Sequence, residues 1–202
     1  MKKKVIILDY GLGNYESLKA AFSNLNCDIN ISNLKSELKK SDLIILPGVG
    51  TFPEAIKNLK KLRLDKFLKK LSTRGKKILG ICLGMQLLTY SSDELVFTEG
   101  LKIIKGKFKC MKKHNIGWSK LDNNISNKYC STNVSDIIKD KYFYHVHSYY
   151  SDIKDKNSIL SFSFNNKFKF PSAICYKNIY GFQFHPEKSG INGQNLLMNI
   201  LN

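Results

Sequence analysis

The sequence predicts an α/β fold, a single domain with a central, mostly parallel sheet flanked by helices and a β-rich antiparallel edge. In the first half, short apolar segments alternate with longer amphipathic ones, and strands separated by helices of this length imply right-handed crossovers and a parallel sheet. From Leu101 onward, apolar and polar residues alternate and turn residues are frequent, which is typical of antiparallel strands. No repeat or linker separates the halves, so residues 1–202 are expected to form one domain.

The first half is predicted to contain four strands and three helices. The strands, which are short and rich in apolar residues, are 5–8, 28–31, 43–46 and 78–81. The helices, which carry apolar residues at helical spacing, are 17–25, 55–71 with a candidate break, and 83–90.

The second half is predicted to form antiparallel strands and one final helix. The strands are 101–109, 117–121, 142–146, 158–164, 173–176 and 180–184, with Lys177 and Asn178 as a tight turn. Residues 195–201 return to a helical pattern with four apolar residues. The β-rich half is therefore expected to extend the same α/β domain.

Composition and cysteine usage exclude several classes of protein. Hydrophobic residues make up 43% and charged residues 24% of the chain, which does not fit a disordered protein. The apolar run at 5–8 is too short for a signal peptide, and no run approaches the ~18 residues of a membrane span, so a soluble, cytoplasmic protein is expected. Five cysteines without a C-x-x-C pair argue against both a disulfide framework and a zinc ribbon.

The net charge of +17 raises nucleic acid as a partner, but the type of cation argues against it. Only two of the 33 basic residues, Arg63 and Arg74, are arginine, the residue preferred for phosphate and base recognition. The lysines form scattered doublets with the spacing of solvated helix faces. We therefore expect neither nucleic acid nor a membrane as a partner.

The strongest chemical signal is the segment Gly80-Ile81-Cys82-Leu83-Gly84, placed where a predicted strand ends and a helix begins. It is a cysteine version of the G-x-S-x-G nucleophile elbow, in which flanking glycines permit the sharp turn that exposes the nucleophile. A helix N-terminus favours the thiolate, and the next backbone N–H points toward a developing oxyanion. A buried structural cysteine is the alternative, and the spacing favours a nucleophile.

A cysteine nucleophile needs a base, and His185 is the best candidate among four histidines. It follows an apolar strand in His185-Pro186-Glu187, where an extended backbone would place both side chains on one face. A carboxylate beside an imidazole fixes its tautomer and stabilises the imidazolium. Alone, this tripeptide is more often a capped turn, but together with the cysteine elbow it indicates a catalytic pair.

Two glycine-containing loops follow predicted strands at the same edge of the sheet as the elbow. Pro47-Gly48-Val49-Gly50 would let backbone N–H groups approach a substrate, although a plain tight turn has the same composition. The run from Asp9 to Asn14 resembles a truncated G-x-G-x-x-G motif. Since position 16 is Glu, dinucleotide binding is not expected.

These motifs together resemble the class I (triad) glutamine amidotransferases, and within that family the branch of HisH glutaminase subunits. The matching stretches run in the family's order over nearly the whole chain: 9–14, 47–50, 80–86, 147–149 and 181–189. The resemblance implies the family's α/β fold, glutamine hydrolysis without a metal or organic cofactor, and a triad of Cys82, His185 and Glu187. It also implies backbone oxyanion donors at Gly50 and Leu83, and glutamine contacts from Gln86, Glu94, His147, Ser148 and Tyr149.

The resemblance further implies a heterodimer, because released ammonia must be delivered to a synthase. In the HisH branch the partner is the (β/α) barrel (HisF-like) subunit of imidazole glycerol phosphate synthase, in histidine biosynthesis. Related glutaminases serve sugar amidotransferases that make acetamidino sugars, and a basic scaffold or nucleic-acid-binding protein with a degenerate triad is a further alternative. Asn14, Trp118 and Lys188 are expected near the partner interface.

One segment departs from the family pattern. The family shows Pro-His-x-Gly-Trp where this chain has His114-Asn115-Ile116-Gly117-Trp118, so His114 lies one position early. This leaves the role of His114 open, and it bears on the choice of partner. For both His114 and His145, the alternative to a role in the site is a structural role or a solvent-exposed position.

Overall fold

The computed structural model describes residues 2–123, 127–130 and 134–201. In chain order, its strands are β1 (Lys3–Leu8), β2 (Cys27–Ser32), β3 (Leu43–Leu46), β4 (Lys77–Ile81), β5 (Ser91–Ser92), β6 (Thr98–Glu99), β7 (Gly106–Lys120), β8 (Tyr142–Ile153), β9 (Ile159–Asn165), β10 (Phe168–Tyr176) and β11 (Ile179–Phe182). Its α-helices are α1 (Tyr15–Phe22), α2 (Lys35–Lys40), α3 (Phe52–Lys61), α4 (Asp65–Thr73), α5 (Leu83–Leu87), α6 (Val134–Ile138) and α7 (Gly190–Leu201).

The main sheet has seven strands in the order β2-β1-β3-β4-β11-β10-β9. Its first five strands are parallel, whereas β10 and β9 continue it as antiparallel neighbours. The predicted α/β fold with a mostly parallel sheet and an antiparallel edge is therefore confirmed. The carboxyl ends of β1, β3, β4 and β11 meet at one edge, as expected for the loops that carry the motifs.

Helices cover both faces of this sheet, and alternate side chains of β1 show why. Ile6 and Leu8 pack on the face covered by α3, α4 and α5, while Val5 and Ile7 pack on the face covered by α1, α6 and α7. A strand buried on both faces is apolar throughout, which matches the continuous apolar runs of β1 and β3. Among helices of the described residues, none is long and apolar enough to cross a membrane.

A second sheet of four strands, in the order β6-β5-β7-β8, lies beside the main sheet. Its long antiparallel pair, β7 and β8, is interrupted by a register shift between Cys110 and Asn115. The Ser172 hydroxyl of β10 lies 2.7 Å from Nε2 of His145 in β8, and this bond joins the two sheets.

Several predicted element boundaries are wrong. The two strands predicted at 101–109 and 117–121 are replaced by one longer strand, β7, which begins at Gly106 and ends at Lys120. Residues 101–104 precede this strand, and their N–H groups bond to carbonyls of residues 87–89. The helix predicted over 83–90 ends at Leu87, where that contact begins. By contrast, the break expected within the helix predicted over 55–71 is present: α3 ends at Lys61, Arg63 adopts a φ of 55°, and α4 begins at Asp65. Of the predicted domain range 1–202, residues 1, 124–126, 131–133 and 202 lie outside the described residues.

Candidate active site

Cys82 is the single residue between the end of β4 and the start of α5, and its backbone conformation is strained. Its φ and ψ are 53° and −111°, a region that non-glycine residues rarely adopt. The flanking glycines are required by close packing. A Cβ on Gly84 would lie 1.8 Å from the carbonyl oxygen of Leu46, and one on Gly80 would lie 2.7 Å from the carbonyl carbon of Gly84. The sharp turn expected from the sequence is therefore present, and it places Cys82 at the edge of the sheet, in the wall of a cavity.

Substituting Gly84 tests this packing. Because the added methyl group would clash with backbone atoms of β3, Gly84→Ala is expected to lower the free energy of unfolding by about 3 kcal/mol, the upper end of the usual cost of overpacking. Urea denaturation followed by circular dichroism measures it. The control is Gly190→Ala, where φ is +55° but no atom lies within 4 Å of the added Cβ, with an expected cost of about 1 kcal/mol. Equal effects of the two substitutions would contradict the steric explanation.

His185 and Glu187 form a buried pair beside the elbow. Nδ1 of His185 donates a hydrogen bond to Oε1 of Glu187 at 2.7 Å, and their side chains are only 7% and 3% exposed. The backbone between them is a 3₁₀ turn (Pro186–Lys188), not the extended chain that the sequence suggested. Proline at its first position and the Ser189 hydroxyl, which donates to the His185 carbonyl, hold this turn. The contact between His185 and Glu187 is therefore present as expected, but a 3₁₀ turn rather than an extended backbone produces it.

The environment of His185 favours its protonated form. Burial alone would lower the pKa of His185, but interaction with Cys82 and the hydrogen bond to Glu187 outweigh it and raise the pKa to about 10. Since Nδ1 is engaged by Glu187, the proton exchanged with the site is the one on Nε2. Nε2 makes no hydrogen bond to the described residues.

Two further groups contact the sulfur of Cys82. The carbonyl oxygen of Val146 in β8 lies 3.9 Å away and accepts from the thiol. Nε2 of Gln183, which follows β11, lies 3.7 Å away and donates to the sulfur. The sulfur is thus placed between an acceptor and a donor, both fixed by the sheets that carry them.

A cavity of about 320 Å³ opens in front of Cys82 and His185. All seven residues expected to bind glutamine or the oxyanion line it, and they come from four separate parts of the chain: Gly50, Leu83, Gln86, Glu94, His147, Ser148 and Tyr149. Lys188, expected at a partner interface, also lines this cavity. The structure therefore brings the predicted residues together, with room for an amino acid.

Glu94 links the cavity to the loop after β3. Its Oε2 accepts a hydrogen bond from the backbone N–H of Phe52 at 2.8 Å, and burial raises the pKa of this carboxyl while the hydrogen bond lowers it. At the other end of the loop, the hydroxyl of buried Tyr10 donates to the carbonyl oxygen of Pro47 at 2.6 Å. The segment between these two anchors contains Gly50, with a φ of 103°.

The histidines outside the triad have separate roles. His147 donates from Nδ1 to the Tyr149 carbonyl at 2.8 Å and accepts on Nε2 from the Asn115 side chain at 3.1 Å, so it is a neutral imidazole. The side chain of His145 is buried in the core, where it bonds the Phe143 carbonyl and Ser172. This matches the structural alternative for His145. The exposed His114 lies with Nδ1 at 2.7 Å from the Ser148 hydroxyl.

Two buried neutral histidines should make the fold sensitive to acid. Burial is the main cause that lowers the pKa of His145 to about 3 and that of His147 to about 4. Because the unfolded chain protonates near pH 6.5, stability is expected to fall between pH 6.5 and 4 by up to about 1.4 kcal/mol per pH unit for each histidine. His145→Gln should flatten this dependence, whereas the exposed control His114→Gln should leave it unchanged. Urea midpoints at pH 7, 6 and 5 measure it, and an unchanged slope in His145→Gln would contradict the interpretation.

The three residues expected at an interface lie in different surroundings. Asn14 caps α1 by accepting from the Ser17 N–H, and it lines a crevice shared with His185 and Glu187. Trp118 on β7 is 55% exposed and packs edge-on against Tyr144. Lys188 is exposed at the cavity rim. All three are exposed to solvent.

The described residues contain no group of three or more His, Cys, Asp or Glu side chains arranged to hold a metal ion.

Nearly the whole chain matches the model of one protein family. The model for the class-I glutamine amidotransferases matches residues 6–201. The chain belongs to the class I glutamine amidotransferase family. Its relatives include the imidazole glycerol phosphate synthase subunit HisH of Listeria monocytogenes, 39% identical over 199 residues that cover 96% of this chain and 92% of the relative. The subunit of the same name from Lactococcus lactis is 37% identical and covers 98% of both chains.

Solved structures of the family share the fold. PurLQS from Thermotoga maritima has a TM-score of 0.72 at 17% identity, covering 100% of this chain and 99% of that chain. A glutamine amidotransferase from the same organism has a TM-score of 0.64 at 17% identity, covering 98% of this chain and 81% of that chain. At these identities the likeness concerns the fold alone.

Two residues that contact the site were not predicted from the sequence. Asn115 occupies the position where the family pattern has histidine, and its side chain bonds to His147. Gln183 lies within the family's G-F-Q-F-H-P-E stretch, but its contact with Cys82 became visible only in three dimensions. Both residues lie within or beside the recognised motifs, but the motifs do not indicate which side chains they contact.

Proposed function

We propose that this class I glutamine amidotransferase hydrolyses glutamine to glutamate and ammonia, with Cys82 as nucleophile. The observation that carries the proposal is the placement of Cys82 on a strained elbow, beside the buried His185–Glu187 pair and facing a cavity lined by the glutamine-binding candidates. A nucleophile, a base and an orienting carboxylate in this order are the general requirements of a triad.

The reaction follows from the positions of the protons. The thiol proton of Cys82 passes to Nε2 of His185, and the thiolate attacks the side-chain amide carbon of glutamine. The imidazolium of His185 then protonates the departing amine, so that ammonia leaves and a glutamyl thioester remains. A water molecule, deprotonated by the same nitrogen, cleaves the thioester and regenerates the thiol. Glu187 stabilises the imidazolium during both steps and fixes the free tautomer with Nδ1 protonated.

Substrate binding is assigned to the cavity walls. The backbone N–H of Leu83, next to the nucleophile, and that of Gly50 are the proposed oxyanion donors. Gln86, Glu94 and the backbone and side chains of residues 147–149 would hold the amino-acid part of glutamine. The Glu94 carboxylate is the anionic wall of this cavity, and it suits the substrate's α-ammonium group.

We propose that the physiological complex is a heterodimer, in the cytoplasm, with the synthase subunit of imidazole glycerol phosphate synthase. The support is the name of the relatives, which cover nearly the whole chain. A face of β7 and β8 beside the cavity adds to it, because its cross-strand pairs Ile116–Val146 and Trp118–Tyr144 leave apolar side chains exposed. Exposed apolar patches mark contact surfaces, and Lys188, which lines the cavity together with Val146, favours an acidic residue on the partner.

Gene deletion tests the choice of partner. If the proposal is right, a strain lacking this gene requires histidine, and added histidine or a plasmid copy restores growth. A strain that grows without histidine but lacks an acetamidino sugar would instead indicate a sugar amidotransferase as the partner. The departure at His114 and Asn115 is the observation that favours this second candidate, since it borders the exposed face. Copurification of the partner subunit with tagged protein identifies it directly.

A further inference from the structure

The side chain of Gln183 is completely buried, yet only one end of its amide is used. Its Nε2 donates to the sulfur of Cys82 at 3.7 Å, and its Oε1 makes no hydrogen bond to the described residues. An unpaired amide oxygen in the interior costs free energy, because it gives up its hydrogen bonds to water without replacement. A hydrophobic residue of similar size would avoid that cost, so packing alone gives no reason for glutamine here.

The backbone holds Gln183 firmly against the elbow. Phe182 pairs in register with Ile81 across β11 and β4, and its carbonyl oxygen accepts from the Cys82 N–H at 2.8 Å. The N–H of Gln183 in turn bonds to the Ser172 carbonyl in β10 at 2.9 Å. The position of the amide relative to the sulfur is therefore set by three neighbouring strands.

The orientation of the amide matches an anionic sulfur. A thiol can donate to the carbonyl oxygen of Val146, which lies 3.9 Å from the sulfur, whereas a thiolate is repelled by that oxygen. The N–H of Gln183 has the opposite preference, because it is attracted more strongly to a thiolate than to a thiol. If the amide were reversed, its oxygen would face the sulfur as a second repulsive group.

Within the described part of the chain, His185, which is held by Glu187, and the buried phenol of Tyr10 interact electrostatically with the sulfur. Further titratable groups line the same cavity: Glu94, His147, Tyr149 and Lys188. His185 stabilises the thiolate only while protonated, and it gives up its proton when the amine departs. An uncharged donor such as the Gln183 amide keeps its proton through every step and continues to stabilise the sulfur.

We propose that Gln183 is a further catalytic residue of this site, whose side-chain N–H stabilises the thiolate of Cys82 before attack and again when the thioester is cleaved. No bond to Gln183 forms or breaks, and the thiol proton still passes to His185. This inference rests on the proposed glutaminase function for its rate effects but not for its effect on the sulfur.

The test measures the sulfur directly. Iodoacetamide alkylation of Cys82 is followed as a function of pH, with the Cys82 peptide quantified by mass spectrometry, in wild type and in Gln183→Met and Gln183→Glu. The first variant removes the donor at similar size, and the second replaces it with an anion of the same shape. Gln194→Met, on the exposed side of α7, is the matched control.

Loss of the donor should raise the pH midpoint of alkylation by about one unit in Gln183→Met and by more in Gln183→Glu, with no change in the control. With partner present, kcat/KM for glutamine should fall about tenfold to a hundredfold in Gln183→Met. Circular dichroism verifies folding, and if Gln183→Met does not fold, the comparison rests on the isosteric Gln183→Glu.

An unchanged alkylation midpoint in a folded variant would overturn the proposal. Loss of a purely structural residue would change the stability of the protein but not the pH midpoint of Cys82 alkylation. If instead the midpoint shifts while wild type releases no glutamate even with its partner, the role of Gln183 stands and the glutaminase assignment is wrong.

Discussion

Cys82→Ala is expected to lower glutamine hydrolysis by at least about 10⁴-fold, the scale on which removal of a triad nucleophile acts. The substitution removes the sulfur but leaves the elbow, because alanine keeps the Cβ that the backbone already accommodates at a φ of 53°. Synthesis supplied with ammonia instead of glutamine should continue at the wild-type rate, since it bypasses this site. Glutamate release and product formation by the complex, each measured separately, give the result.

The other cysteines provide the controls for this prediction. A glutamine-like electrophile such as a diazo-ketone analogue should label Cys82 alone, because it combines the elbow, the His185 pair and the open cavity. Alanine substitution at exposed Cys110 should leave both activities unchanged. The assignment of Cys82 as the nucleophile would be wrong if peptide mapping found the label on another cysteine: Cys27, Cys110, Cys130 or Cys175. Loss of the ammonia-dependent reaction in Cys82→Ala would mean that the cysteine is structural.

The main sheet could be predicted because its strands are short, continuous apolar runs. β3 was predicted to the residue, and β1, β2 and β4 were predicted within two residues at each end. Helices α2 and α6 were missed for a physical reason, since each has at most six residues and α2 buries only Leu38. So short a helix has no amphipathic period to detect, and it is held by tertiary packing.

The second sheet was harder to predict because its longest strand does not alternate regularly. β7 contains the polar stretch Lys112–His114 at the register shift, and that stretch concealed the continuity between the two halves of the strand. The same shift carries His114 out to Ser148 and turns Asn115 inward to His147. Motif spacing identified His114 as displaced, but only the register of β7 shows which residue took the inward position.

The isolated subunit is expected to be nearly silent, and partner together with its ligand should raise glutamate release by about 10²–10³-fold, the contribution of one oxyanion donor. The loop after β3 is the physical reason. It is anchored at Pro47 by Tyr10 and at Phe52 by Glu94, while residues 48–50 make no hydrogen bond through their backbone groups among the described residues. A peptide unit held at both ends and unbonded between them can rotate without breaking any hydrogen bond.

The proposed partner would have direct access to this loop, because Val49 is exposed at the rim of the cavity. Docking on the apolar face of β7 and β8 would place that partner within reach of the peptide unit that carries the proposed oxyanion donor. Steady-state glutamate release is measured for the subunit alone, with partner, and with partner plus ligand, using the Cys82→Ala complex to subtract background. Full activity of the lone subunit would reject the gating of this loop, since the donor would then be in place without a partner.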